Sequence, residues 1–393
     1  MLYCYGHQNK GDKRFDVKLM AKSLAKGIGL ALFAGSVMSI SISSLAATVT
    51  DVAGRTVEVP DNVNRILLGE GRLLSAIALL EGDKPLDRIV GWQGDLRKLD
   101  PQTYAAYKAK FPQIDNIPLI GNTSADSVSA EKVLTLNPDI AIFGLSGHGP
   151  GKNSELVGQL EKAGVPVVFV DFRDNPLQNT LPSIRMLGKA LNREQTAEKY
   201  ADFYEKNQKL VTDITSKIPE DKKPTVFIDL RAGAFEDCCG TAGNGNMGNF
   251  IDLAGGKNIA KDVLPGALGN MNLEKVIAVD PQIYIATGAK APGSKDVGVQ
   301  LGAQGTVEDA KSSLKKITER KGISSLSAVK DGKDYAIWHN YYNSPYNVLA
   351  TQVFAKWFYP EQFADLDPQK TLNELHSQFL AVEPTGIYWV SEK

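Results

Sequence analysis

Short apolar runs alternate with amphipathic stretches from Thr48 to Val170. The runs are rich in Ile, Val and Leu, as in strands that are buried on both faces, and the stretches between them have helical length and periodicity. The predicted strands are 65–68, 89–92, 118–120, 139–143 and 165–170, and the predicted helices are 73–80, 100–110, 130–136 and 154–163. Strands that alternate with helices predict a parallel sheet covered by helices on both faces.

The same alternation returns after a long helical stretch. Apolar residues at near-helical spacing predict one helix over 193–218, which Pro219 ends. The predicted strands that follow are 225–230, 283–286 and 335–338, and the predicted helices are 249–254, 273–279, 348–358 and 368–379. We therefore predict an α/β fold of two Rossmann-like lobes, 47–192 and 219–393, joined by one long α-helix and with a ligand cleft between the lobes.

An internal sequence echo supports two similar lobes. Residues 131–142 (EKVLTLNPDIAI) and 274–285 (EKVIAVDPQIYI) are identical at six of twelve positions. Each copy reads as a helix, a proline-containing turn and a buried strand. Chance similarity between two helix–strand units is the alternative, but pseudo-equivalent lobes explain the match better.

The first 46 residues differ in charge from the rest of the chain. They carry a net charge of +4, so the remainder carries −5. Their basic segment is followed by an apolar run over 28–38, and 44–46 supplies small residues before a cleavage point. The pattern is typical of a secretory signal peptide, since the apolar run is shorter than the ~20 residues of a membrane span. We predict a signal peptide over 1–46, with Met20 as an alternative start, and a periplasmic protein.

Cleavage of this segment would leave two cysteines, Cys238 and Cys239, adjacent in sequence. In an oxidising compartment they could form a vicinal disulfide, pair with another chain or remain buried thiols. We favour the Cys238–Cys239 bridge.

Composition and motifs exclude several classes of function. The chain has 44 basic and 45 acidic residues, so no basic excess indicates nucleic acid. The sequence contains no P-loop, no G-x-S-x-G elbow and no His or Cys pair at metal-ligand spacing. The glycine-rich run 240–245 lacks the dinucleotide-binding spacing and is interpreted as a flexible turn. We predict no catalytic residue, no intrinsic cofactor and no site built from several histidines.

Three arginines lie just beyond predicted strands: Arg72, Arg97 and Arg231. Open α/β sheets bind ligands at the carboxyl ends of their strands, and guanidinium groups suit anionic oxygen ligands. Each arginine alone could be a solvated loop residue, but three at such positions favour an anionic ligand.

The segment 338–346 (WHNYYNSPY) places one histidine and three tyrosines between a predicted strand and a predicted helix. Imidazole and phenolate are competent ligands for ferric iron, and their rings can stack on a flat ligand. We predict that His339, Tyr341 and Tyr342 bind the ligand, with His339 and Tyr341 as candidates for contact with a chelated ferric ion. An aromatic plug beneath the loop is the alternative.

Four stretches resemble the substrate-binding proteins of iron-complex and cobalamin ABC importers. They are 51–60 (DVAGRTVEVP), 129–143, 249–258 and 273–285. The resemblance implies two α/β lobes on a single long helix, small hinge motions on binding, and delivery of the ligand to an inner-membrane permease. The stretch 292–321 looks like an insertion without an assigned role.

The resemblance also implies roles for particular residues. Ferric siderophore binders hold anionic complexes with arginines and aromatic residues, which implies Arg72, Trp92, Arg231 and the 339–342 loop. Family members present one acidic residue of each lobe to the permease.

The matching acidic positions are Glu131 and Asp252, the latter an aspartate where the family usually has glutamate.

The leading hypothesis is a monomeric periplasmic binding protein that captures a ferric siderophore and delivers it to an ABC permease without bond making. Haem, cobalamin or an oxyanion are alternative ligands. An exported siderophore-processing hydrolase and a ligand-sensing lobe of a membrane receptor are more distant alternatives.

Overall fold

The computed structural model describes residues 47–234, 238–289 and 298–392, so the predicted signal peptide lies outside the described residues. Two five-stranded sheets form the centres of two α/β lobes, which confirms the predicted fold class. Within the part of the chain that the structure describes, no helix has the length and apolar character to cross a lipid bilayer.

The N-terminal lobe begins with a hairpin that the sequence pattern did not predict and continues as alternating strands and helices. The strands are β1 (Ala47–Thr50), β2 (Thr56–Val59), β3 (Ile66–Leu68), β4 (Ile89–Gln93), β5 (Leu119–Gly121), β6 (Ile140–Gly144) and β7 (Val167–Val170). The helices are α1 (Leu74–Glu81), α2 (Asp95–Leu99), α3 (Pro101–Lys110), α4 (Ala130–Thr135), α5 (Glu155–Lys162) and α6 (Pro176–Ala190). The parallel sheet has the order β5-β4-β3-β6-β7.

Local sequence determines where several of these helices begin. Asp100 accepts a hydrogen bond from the Thr103 backbone N–H, and Pro101 occupies the first position of α3. Ser129 caps α4 in the same way through the Lys132 N–H. These side chains satisfy backbone donors that have no partner within the helix, so the helix starts are set locally.

One long helix, α7 (Glu194–Thr215), lies between the lobes in the chain. Its 22 residues span about 33 Å. It packs against α6 on one side and against a C-terminal helix, α12 (Val348–Phe358), on the other. The hydroxyl of buried Tyr204 donates to Asn347 just before that helix.

The C-terminal lobe repeats the α/β architecture. Its strands are β8 (Thr225–Asp229), β9 (Gly240–Ala242), β10 (Lys257–Asn258), β11 (Leu268–Asn270), β12 (Ile283–Gly288), β13 (Asp334–Trp338) and β14 (Trp389–Ser391). Besides α12, its helices are α8 (Asn246–Leu253), α9 (Leu273–Val279), α10 (Val307–Thr318), α11 (Ser327–Lys330) and α13 (Pro368–Phe379). The sheet order is β10-β8-β12-β13-β14, and only β14 runs antiparallel to its neighbour among these described strands.

The two copies of the internal echo adopt the same conformation. Asn137 and Asp280, which follow α4 and α9, have φ values of 43° and 47°. Leu134 and Ile277 are each 38% exposed at equivalent positions. Each copy leads into an interior strand of its sheet, β6 or β12. The two lobes are therefore pseudo-equivalent in structure at this point.

The structure adds to two sequence interpretations in this lobe. The stretch 292–321, which looks like an insertion, contains α10, whose Ala310 and Leu314 are fully buried, so this helix packs into the body of the lobe. The glycine-rich run 240–245 is not only a turn, because β9 pairs antiparallel with β11.

Candidate functional site

Six side chains follow the carboxyl ends of neighbouring strands in the two sheets, or lie at those ends. In the N-terminal lobe they are Arg72, His148 and Arg173, after β3, β6 and β7; in the C-terminal lobe they are Arg231, Thr287 and His339, at β8, β12 and β13. Carboxyl ends of adjacent parallel strands share one edge of a sheet, where open α/β folds bind ligands. The topology thus gathers these groups at one place.

Arg72 is the buried centre of this cluster. Its Nε lies 2.9 Å from Asp95 Oδ2 and its Nη2 lies 3.1 Å from Glu70 Oε2, while Nη1 donates to the Tyr342 hydroxyl at 2.8 Å. Arg72 is 6% exposed, and two carboxylates already offset its charge. Arg72 therefore joins the two lobes through Tyr342 and has no remaining net charge to offer alone.

Burial raises the pKa of Asp95 to about 6, although the nearby Arg72 guanidinium acts in the opposite direction. Because this pKa is raised in the folded state, Asp95 by itself makes stability fall as pH rises from 4 to 6.

His339 is held by a hydrogen-bonded threonine. Thr287 Oγ1 accepts the backbone N–H of Arg231 at 2.8 Å and lies 2.8 Å from His339 Nδ1. Burial, and then the charges of Arg231 and Arg72, lower the pKa of His339 well below its ordinary value. Because Thr287 Oγ1 already accepts one N–H, we assign its hydroxyl as donor to Nδ1, which leaves the imidazole proton on Nε2.

Tyr342 is surrounded by cationic and aromatic groups. Its ring centroid lies 4.6 Å from that of His339, 5.7 Å from the Arg72 guanidinium carbon and 5.2 Å from that of Arg173. The buried Nη1 of Arg173 has no hydrogen-bond partner among the described residues. Arginine on an aromatic face is stabilised by the ring quadrupole, so the Tyr342 ring stabilises the two guanidinium groups beside it.

His148 adds a second imidazole from the N-terminal lobe. Its backbone N–H donates to Glu70 Oε1 at 3.0 Å, and its Nδ1 lies 3.1 Å from the Thr123 carbonyl oxygen. Since a carbonyl oxygen only accepts, Nδ1 carries the proton and Nε2 of the neutral ring is an acceptor. Burial and the charge of Arg72 lower the pKa of His148.

A cavity of about 320 Å³ lies between the lobes at this edge. Among the described residues, every charged side chain that lines it is a cation: Arg72, Lys98 and Arg231. His148, Thr287, His339 and Tyr342 complete its polar wall. No cluster of three His, Cys, Asp or Glu side chains that could hold a metal ion occurs in the described ranges. The wall is suited to binding an anion.

The structure brings together four of the seven predicted ligand residues: Arg72, Arg231, His339 and Tyr342. The placement of the other three in the cleft is corrected. Trp92 and Arg97 line a separate pocket of about 280 Å³, in which Arg97 Nη2 lies 3.4 Å from Asp115 Oδ1. Trp92 is 2% exposed, because β4 lies inside the lobe.

Tyr341 is 1% exposed and packs edge-to-face on Trp338, with ring centroids 5.1 Å apart. Residues 339–343 form a 3₁₀ turn, in which neighbouring side chains point about 120° apart. Tyr342 faces the cleft, so Tyr341 faces the core, and neither Tyr341 nor Trp92 lines the cavity between the lobes.

Sequence reasoning missed Glu70, Lys98, His148 and Arg173. A signal for Arg173 existed, because it follows β7 as Arg72 follows β3. The glycine-rich surroundings of His148, GHGPG at 147–151, favour a mobile turn and do not indicate a ligand site. No local pattern indicated that Glu70 would neutralise its near neighbour Arg72.

The remaining predicted residues lie outside the cleft. Glu131 is exposed on α4, whereas Asp252 on α8 forms an ion pair with Lys261 at 2.8 Å. Glu274 is exposed on α9 at the position equivalent to Glu131. A disulfide joins Cys238 to Cys239 in the structure.

Comparison with known proteins bears on this arrangement. The family model described as periplasmic binding protein matches residues 99–340, more than half of the chain. The chain belongs to the periplasmic binding protein family. Such proteins are the substrate-binding components of ABC transporters and are not enzymes.

Two relatives show the extent of the similarity. The binding protein is 26% identical to the molybdate-binding protein MolA of Haemophilus influenzae over 373 residues, which cover 88% of this chain and 95% of MolA. It is 28% identical to the crystal structure of the TroA-like periplasmic binding protein FepB from Veillonella parvula, with a TM-score of 0.76, covering 88% of this chain and 100% of that one.

The crystal structure of molybdate-bound MolA superposes with a TM-score of 0.66 at 20% identity, covering 86% of this chain and 99% of that one, and shows the shared fold alone.

Proposed function

We propose that the binding protein captures a compact anion between its lobes, with tetrahedral metal oxyanions such as molybdate as the favoured class, and delivers it to an ABC permease. The observation that carries the proposal is the cavity wall, whose charged members among the described residues are all cations, Lys98 and Arg231 beside the carboxylate-paired Arg72. A tetrahedral oxyanion presents only hydrogen-bond acceptors. Guanidinium, ammonium, hydroxyl and Nε2–H groups supply the complementary donors.

Cavity size supports a small ligand. Pockets that hold drug-sized organic ligands measure roughly 300–1,000 Å³, and the volume here, about 320 Å³, is at the low end. A hydrated oxyanion or a compact chelate fits this space more readily than a bulky complex. The match to MolA over nearly its whole length agrees with an oxyanion.

A ferric siderophore is the second candidate, because the His339 and Tyr342 rings lie against each other at the cavity wall. Such a pair offers both an imidazole nitrogen and a phenol oxygen to iron or to a flat chelate. This candidate requires the lobes to separate further than they do in the structure.

Isothermal titration calorimetry of residues 47–393 separates the candidates. The titrants are sodium molybdate, tungstate, sulfate and phosphate, and then ferric and iron-free catecholate, hydroxamate and carboxylate chelators. Saturable one-to-one binding of an oxyanion supports the proposal. Binding of a ferric chelate with no response to any oxyanion would replace it with the second candidate.

The variant Arg97→Met is the matched control, since it removes one positive charge from the separate pocket of Trp92 and Arg97. Its affinity for the oxyanion should equal that of the wild type. An equal loss in Arg97→Met and Arg231→Met would point to a general charge effect instead of a cleft.

We further propose that exposed acidic residues on the two pseudo-equivalent helices contact the permease. Glu131 on α4 and Glu274 on α9 occupy matching positions in the echo. Asp252, the residue first expected for the C-terminal lobe, is paired with Lys261 and lies outside the echo. We therefore favour Glu274 over Asp252.

The measurement is transport complementation by Glu131→Ala, Glu274→Ala and Asp252→Ala, with oxyanion affinity checked for each variant. Loss of transport at full affinity in the first two variants supports this assignment. Loss in Asp252→Ala with retention in Glu274→Ala would restore the original one. Export through a cleaved signal peptide is likewise proposed, and N-terminal sequencing of the periplasmic protein tests it.

A further inference from the structure

The first residue of α8 forms hydrogen bonds to the loop after β7 in the opposite lobe. The Asn246 backbone N–H donates to the Asp174 carbonyl oxygen at 3.0 Å, and its side-chain Nδ2 donates to the Arg173 carbonyl oxygen at 2.9 Å. Asn246 is 1% exposed, so water does not compete for these bonds. Two consecutive carbonyl groups of the N-terminal lobe are thus held by one residue of the C-terminal lobe.

The backbone around Asn246 is shaped for this contact. Asn246 has a φ of 50°, a left-handed conformation that asparagine adopts more readily than most residues. Gly245 before it has a φ of 139°, and a Cβ there would lie 2.7 Å from the Asp174 carbonyl oxygen. The sequence Gly245-Asn246 therefore permits an approach that other residue pairs would block.

The loop 171–175 is itself held by internal hydrogen bonds. Buried Asp171 accepts the backbone N–H groups of Arg173, Asp174 and Asn175 at 2.8, 2.8 and 3.0 Å. Ser146 donates to Asp174 Oδ1 at 2.6 Å. A loop with this many internal bonds moves as a unit, so whatever holds its carbonyl groups also positions the Arg173 side chain.

Arg173 connects the loop to the cleft. Its guanidinium carbon lies 5.2 Å from the centroid of Tyr342, whose hydroxyl accepts from Arg72. Its charge also contributes to the lowered pKa values of His148 and His339. A shift of the loop would therefore change the electrostatics of the anion cavity.

We propose that Asn246 is a positioning residue, which hydrogen-bonds to the 173–174 backbone across the lobe interface (the clasp) and so holds Arg173 against Tyr342 of the anion cavity wall. The proposal rests on the anion-binding function proposed above for its effect on ligand, but the clasp itself can be tested without ligand. Asn246 and Gly245 were not among the predicted site residues, because the contact joins segments that are 73 residues apart.

The variant Asn246→Gly is the sharpest probe, since glycine tolerates the same φ and the substitution removes only the side chain with its Nδ2 donor. Asn246→Asp, which keeps the shape but replaces the Nδ2 donor with an acceptor, is the second variant. Asn373→Asp on the exposed face of α13 is the control for the same chemical change. All three are made in the protein comprising residues 47–393.

Hydrogen-exchange mass spectrometry measures the clasp directly. We expect both Asn246 variants, but not the control, to lose amide protection in two segments together, 171–176 and 246–250. Unchanged protection in both segments would overturn the clasp.

Two further readouts test whether the clasp positions Arg173. By NMR titration of the imidazole protons in Asn246→Gly, the pKa values of His148 and His339 should rise, because Arg173 moves away. For sodium molybdate, affinity should fall about fivefold, mostly through faster dissociation, as expected for the loss of one net hydrogen bond. Unshifted histidine titrations would overturn the positioning role, and so would unchanged affinity in a wild type that binds molybdate. If the wild type binds no oxyanion, the proposed function fails, while exchange and titration still decide on the clasp.

Discussion

Removal of the Arg72 side chain should destabilise the protein far more than removal of any exposed arginine. Arg72→Met leaves the carboxylates of Glu70 and Asp95 without their cation, although their side chains are only 2% and 0% exposed. Breaking a buried ion pair from one side costs about 3–5 kcal/mol, since the remaining charge is neither solvated nor paired. We expect a loss of that size in the free energy of unfolding.

The assay is urea unfolding of residues 47–393, followed by circular dichroism and intrinsic fluorescence at pH 7. Arg97→Met is the matched control, because its side chain is 52% exposed and a surface ion pair contributes about 0–1 kcal/mol. A loss below about 1 kcal/mol in Arg72→Met would refute the view that Arg72 is a structural charge.

A rescue variant separates lost charge from lost packing. Glu70→Gln and Asp95→Asn, added to Arg72→Met, remove the two unpaired carboxylate charges and should restore part of the lost free energy of unfolding. The combined variant would then be more stable than Arg72→Met alone, a departure from additivity that contacting residues typically show. Further destabilisation by the added changes would indicate that packing dominates.

Three other predictions concern ligand affinity and pH. Arg231→Met should weaken molybdate binding about tenfold by calorimetry, because a charge-assisted hydrogen bond to the anion is lost. The free energy of unfolding should change little, because Arg231 is exposed; affinity equal to that of the wild type would contradict its role. Burial raises the pKa of Asp100 to about 6, so the folded state binds the extra proton and stability should fall by up to about 3 kcal/mol as pH rises from 4 to 6. Asp100→Asn should reduce that slope in urea unfolding and leave the part that the raised pKa of Asp95 produces; an unchanged slope would count against it. Molybdate affinity should rise as pH falls from 7.5 to 5.5, because an anion favours protonation of His148 and His339, whose pKa values are lowered in the free protein; affinity independent of pH in calorimetry would contradict this.

The candidate site was only partly visible in the sequence. Arg72, Arg231 and His339 could be found because each follows a strand, and strand ends in a parallel sheet converge. The same reasoning placed Arg97 wrongly, because α2 directs it toward Asp115 and the flank of the lobe. Position after a strand therefore selects candidates, but the element that follows determines where the side chain lies.

The partners that offset the charge of Arg72 could not be identified from neighbouring residues in the sequence. Asp95 lies 23 residues from Arg72, and Tyr342 lies 270 residues away. Until the lobes are assembled, no pattern in the sequence shows that two carboxylates offset the charge of Arg72. Lys98, Arg231 and the two imidazoles line the same cavity wall.

By itself the sequence determined the local secondary structure. This comprises apolar runs that form buried strands, caps such as Asp100 and Ser129, the long helix α7 and the echo shared by α4 and α9. These features depend on neighbours within a few residues, which is why periodicity and capping reveal them. Tertiary structure alone decided which of Tyr341 and Tyr342 faces the cleft, and that Asn246 reaches the opposite lobe. Such outcomes depend on the packing of segments that are distant in the chain, and no local pattern carries that information.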